Sequence, residues 1–62
     1  MIKEYDVVKA AKNINEIVPI GCIGTVVMVF NKPSLAYEVE FFNDANETIA
    51  VLTVKPDEIV SR

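Results

Sequence analysis

Residues 21–30 read "GCIGTVVMVF", and the reading of this stretch decides the fold. Both glycines of the chain, Gly21 and Gly24, stand ahead of a run of β-formers that continues to Phe30. A Gly-x-x-Gly loop that clamps an RNA backbone joins two helices and carries basic residues, so that amides and charge both meet the phosphates. Here the loop opens a β-run and is uncharged. A phosphate-binding P-loop is excluded as well, because no Gly-Lys-Ser/Thr follows. The glycines are therefore structural: Gly21 takes a φ that other residues resist, and Gly24 permits a kink or close packing where a strand coils. The stretch is predicted to be the second strand, Cys22 to Phe30.

Working outward, short β-runs alternate with punctuation, the pattern of an all-β domain. The first run is Tyr5 to Ala11, with Tyr5, Val7 and Lys9 on one face and Asp6, Val8 and Ala10 on the other. Helix is the rival over Val7 to Glu16, but the Asn-Ile-Asn stretch and the Tyr-Asp-Val-Val start disfavour it. The connector "KNINEIVPIG" holds too many turn residues for a regular element. Its Ile14, Ile17, Val18 and Ile20 are too apolar for a freely solvated loop, so it is expected to fold back over a barrel mouth. "NKPS" turns the chain after Phe30. Tyr37, Val39 and Phe41 then face the core while Glu38 and Glu40 face water. "NDANE" makes the next turn, Thr48 to Val54 is a fourth strand, Lys55 to Glu58 one helical turn, and Ile59 and Val60 a closing edge strand. The expectation is one domain over residues 1–62, a small five-stranded SH3-like barrel with a short 3-10 turn before the last strand.

Composition narrows the functions. The net charge is −3, and the five lysines are scattered at positions 3, 9, 12, 32 and 55, with the single arginine last. Nucleic-acid binding draws on clustered basic residues, so it is not expected. One cysteine and no histidine leave no disulfide and no structural zinc. A lone thiol fits a reducing cytoplasm, no signal peptide is readable in "MIKEYDVV", and no apolar run is long enough to span a bilayer. No cofactor is expected.

Catalysis lacks its usual groups. Glu38 and Glu40 share a strand face at roughly 7 Å, a spacing that acid–base pairs use, but on a convex surface without a cleft they read as a solvated face. Cys22 has no positive neighbour to lower its pKa and reads as a small apolar residue. Asp44, Asn46 and Glu47 lack the glycine and distal glutamate of a calcium loop, and turn chemistry explains them. No catalytic or metal-binding residue is assigned.

The anomaly is apolar excess. Both faces of Thr48–Val54 are apolar, Ile49 and Val51 against Ala50, Leu52 and Val54, and alternation gives the same for Thr25–Phe30. A half-solvated antiparallel sheet alternates apolar with polar. A barrel that bends can absorb some of this surplus; the remainder calls for cover, by a second copy of the chain or by another protein. Met28, Phe30, Phe42, Leu52 and Val54 are the candidate interface residues.

The strings "YDVV", "GxxGTVV", "YEVEF" and "TIAVLTV" followed by "PDEI" resemble, in this order, a family of short bacterial domains of unknown function common in cyanobacteria. The resemblance covers nearly the whole chain. It implies an SH3-like barrel related to that of the nitrile hydratase β-subunit, and it brings no activity with it. Some members lie beside toxin genes, which implies an antitoxin or immunity role. Cys22, Ile23 and Met28 depart from the family's more polar residues there. The expected function is a non-enzymatic protein-interaction module that self-associates. The alternatives are a KOW-like nucleic-acid or ribosome-associated barrel, since KOW segments also run Gly, a gap, Gly and alternating aliphatics, and an accessory domain of an enzyme.

Overall fold

The computed structural model describes all 62 residues and is all-β. Five strands, β1 (Val7–Ala10), β2 (Ile23–Phe30), β3 (Ala36–Phe42), β4 (Thr48–Val54) and β5 (Ile59–Ser61), form one antiparallel sheet. A 3-10 turn at Pro56–Glu58 precedes β5. Chain order is kept from β1 to β4, and β5 returns to pair with β1, giving the spatial order β4-β3-β2-β1-β5. No helix forms over Val7–Glu16.

The sheet rolls on itself. Val54 at one edge and Ile59 at the other belong to the same nine-residue core, with Val8, Ala10, Val18, Val26, Tyr37, Val39 and Phe41 between them. A single flat layer would leave its inner face wet; curling lets one sheet serve as both walls of the core. The alternation read in β1 holds over Val7–Ala10, with Val8 and Ala10 inside and Val7 and Lys9 outside, but the strand begins two residues later than read, because Tyr5 sits in a turn at φ +70°. That in β3 holds too, with Tyr37, Val39 and Phe41 buried.

Alternation in β2 breaks at one point. The pairing with β3 slips between Val26 and Met28, so that Val27 is a bulge. Two residues then oppose one, and the faces exchange beyond the bulge. Val26 lies opposite Val39 and Val29 opposite Tyr37, both inside, whereas Met28 pairs with Glu38 and Phe30 with Ala36 on the outer wall. Strict alternation had placed Val26, Met28 and Phe30 together. The bulge also supplies curvature, as does Gly24. A Cβ on Gly24 would lie 2.6 Å from a methyl of Val39 and 2.9 Å from the Glu40 carbonyl oxygen, so only glycine lets β2 sit this close to β3. Gly21 has φ +86° in the tight turn that enters β2, where its N–H donates to the Ala10 carbonyl.

The connector between β1 and β2 is fixed by two asparagines. The Asn15 side-chain oxygen accepts from the N–H groups of Ile17 and Val18, both at 2.8 Å, and that of Asn13 accepts from Ile20 at 2.7 Å. The connector covers the core as expected, through the fully buried Val18 and the half-buried Ile14 packed against the core, while Ile17 and Ile20 face outward.

Candidate functional site

At the end of the barrel where β2 begins and β3 ends, an open groove of about 430 Å³ lies between the connector and the β3–β4 turn. Its apolar wall is Ile17, Pro19 and Ile20 on one side and Ile49 on the other; Ile23 and Phe42, a cross-strand pair on the outer face, form the floor. Ile17 and Ile20 are 58% and 63% exposed and share one groove wall, so their aliphatic surface forms a single patch on a backbone held by the asparagines. Asp44 stands on the groove's rim. Glu16 and Glu47 lie in the same two loops, and Lys9 faces outward beside Ile23 on β1.

The turn that carries Asp44 is built by Asn43. Its side-chain oxygen accepts from the N–H groups of Ala45 and Glu47, and its amide donates to the Glu47 carboxylate. Asn46 takes a positive φ of +62°, a conformation asparagine tolerates. Glu47 and Asn46 are thus occupied in shaping the turn, which leaves Asp44 as the carboxylate presented to the groove. Cys22, half-buried, donates its S–H to the Phe42 carbonyl oxygen at 3.3 Å. Burial pushes its pKa up, the hydrogen bond to Phe42 pulls it partly back and the negative charge of Asp44 raises it again. A thiol kept neutral in this way contributes apolar lining, not nucleophilicity.

The outer wall is the second exposed apolar area. Register places Val51, Glu40, Thr25 and Val7 in one row across four strands, with Val51 52% and Val7 44% exposed at its ends. In the next row toward the β2–β3 turn, Thr53, Glu38 and Met28 follow one another. Glu40 accepts a hydrogen bond from the Thr48 hydroxyl on this face, which is convex and offers the Glu38–Glu40 pair no cleft.

The five candidate interface residues are therefore not one surface. Phe42 lines the groove, while Met28 and Phe30 lie on the outer wall near the opposite end of β2. Leu52 and Val54 are on the inner face: Val54 is 1% exposed and belongs to the core, and Leu52, opposite Val39, is half-buried against it. Both lie inside because the core-facing set of β4 is Ala50, Leu52 and Val54, opposite Phe41, Val39 and Tyr37. The residues that replace them at the surface are Val51, Ile17 and Ile20. Val51 was legible as the other face of the same strand; the two isoleucines follow from the asparagine caps, which aim Val18 inward and leave its neighbours outside.

A rolled five-stranded antiparallel sheet, with a one-turn 3-10 segment before the last strand, makes this chain a small SH3-like barrel. It matches the family described as Domain of unknown function (DUF4926) over residues 4–61, and it belongs to that family. No curated protein and no solved structure matches the chain.

Proposed function

We propose that this domain is a non-enzymatic protein-interaction module, which binds a basic partner protein at the groove and self-associates through its remaining apolar surface. The observation that carries the reading is the groove: firmly held isoleucines exposed above an Ile23–Phe42 floor, with acidic loops on both sides. Rigid apolar anchors supply affinity at low entropic cost, and the surrounding carboxylates steer a positively charged partner and set its orientation. The lysines are dispersed over five different segments, one in β1, one ahead of it and three in separate connections, which suits protein better than nucleic acid as the partner.

The resemblance to short bacterial domains related to the nitrile hydratase β-subunit barrel extends the same proposal. The partner is a basic toxin, such as a nuclease, encoded beside the domain in a bacterial cytoplasm, and binding neutralises it.

Titration of the purified neighbouring gene product by calorimetry tests this. Ile20→Ser is expected to weaken binding about tenfold and Asp44→Asn a few-fold, the latter effect fading at high salt. Absence of binding, or binding indifferent to both substitutions, overturns it.

A further inference from the structure

The two edges of the sheet are unequal. β5 offers three residues, followed by Arg62, whose N–H is already bonded to the Val7 carbonyl. β4 offers seven, "TIAVLTV", without a charge or a proline; a register slip at Ile49 interrupts its start, and Ala50–Val54 runs on as a regular edge.

The main-chain groups at that edge can be assigned. Val26 donates to the Asp6 carbonyl and accepts from the Tyr5 N–H, so its N–H and C=O face β1. Main-chain direction alternates along a strand, hence Thr25 faces β3, its partner Glu40 faces β2, and Val39 faces β4. Leu52, opposite Val39, then bonds back to β3, and its neighbours Val51 and Thr53 direct their N–H and C=O groups away from the sheet. Neither residue takes part in any other main-chain bond. Both are also exposed in side chain. On the inner face beside this edge, Ala50 and Leu52 stay half-buried while Val39 and Phe41 one strand away are fully buried, because nothing lies beyond β4.

We infer that the free edge of β4 pairs with β4 of a second copy of this chain, antiparallel about a two-fold axis at Val51, which joins the two sheets across the dimer. Val51 exchanges both main-chain bonds with its own counterpart, and Thr53 reaches the bulge at Ile49 of the second copy, where the regular ladder ends. A two-fold consumes both edges and closes the assembly. A second copy fits because the strand is uncharged and so meets itself without repulsion. The nearest acidic pair, Glu40 and its counterpart, is three strand spacings apart, about 14 Å, beyond the screening length of about 8 Å at physiological salt. A stable interface covers roughly 800 Å² per partner, about a fifth of the 4241 Å² available here. One strand edge supplies part of that, so the dimer is concentration-dependent.

The inference rests on the self-association reading and specifies its surface. Amide exchange of the full chain, recorded at low and high protein concentration alongside the solution mass, tests it. Expected are a mass approaching twice 6.9 kDa with slowed exchange at Val51 and Thr53 at high concentration only. In Val51→Lys the dimer should need at least tenfold more protein. Val51→Pro should behave alike, since it removes a donor that β3 does not use. A wild-type dimer whose Val51 and Thr53 amides stay unprotected, or that survives both substitutions, overturns the β4 pairing and leaves self-association standing. A monomer at millimolar concentration overturns both.

Discussion

β3 and β4 are neighbours of equal length in the same ladder, yet they carry opposite kinds of information. β3 has a strand on each side, buries every second residue and answers each buried aromatic or valine with a glutamate outside or a chain neighbour at its ends. β4 has a strand on one side only, buries Val54 fully, leaves Val51 on the face where β3 shows carboxylates, and at a register slip next to the Phe41–Ala50 pair turns Ile49 against the rim of the core. β3 thus gives most of its outer face to solvated carboxylates, with Phe42 at its end on the groove, whereas β4 leaves uncharged side chains on its outer face and along its free edge.

The contrast can be broken most sharply at Phe41. It is the largest fully buried side chain, and Phe41→Ala should cost about 3–5 kcal/mol. A domain of this size has about 3–9 kcal/mol in all, at about 0.05–0.15 per residue, so urea denaturation should find the variant largely unfolded at 37 °C. Gly24→Ala, which forces a methyl into Val39 and the Glu40 carbonyl, should cost about 1–3 kcal/mol in the same experiment. Leu52→Ala on the inner face of β4 should cost about 1–2 kcal/mol, less than a fully buried leucine because its cavity opens to solvent. Val51→Thr on the outer face should leave stability within about 0.5 kcal/mol. Equal losses at Leu52 and Val51 would erase the distinction between the two faces of β4.

Cys22 sharpens the comparison through pH. Its pKa is raised from the ordinary thiol value of 9.0, chiefly by burial. The fold favours the neutral thiol, so this contribution is whole below pH 9, where neither state is ionised, and is lost as the pH rises through the raised value. Alkylation at pH 8 should therefore be slower than for a free cysteine, and Cys22→Ser should flatten the loss of stability above pH 9.

Much of this was legible in the sequence because single residues dictate it. The Tyr37–Phe41 alternation, the glycine demands at 21 and 24, and Pro56 at the start of a 3-10 turn each leave few choices. What was not legible depends on a count and on position. The bulge at Val27 adds one residue to β2 and swaps faces beyond it, so Met28 and Phe30 part company with Val26; no side chain announces it. Leu52 and Val54 were assigned to the surface because apolar residues on both faces of β4 do not reveal which face curls inward. The groove was hidden for a third reason: Asn13 and Asn15 act across the connector, and their hydrogen bonds turn Val18 in and Ile17 and Ile20 out.

The central claim is that the apolar surface left by this barrel is contact surface, and the solution mass of the native chain across a wide concentration range tests it most directly. The mass should rise from 6.9 kDa to twice that value and stop there, as a closed two-fold assembly must. A mass fixed at the monomer value throughout, in a chain that also leaves its neighbouring gene product unbound, would contradict it.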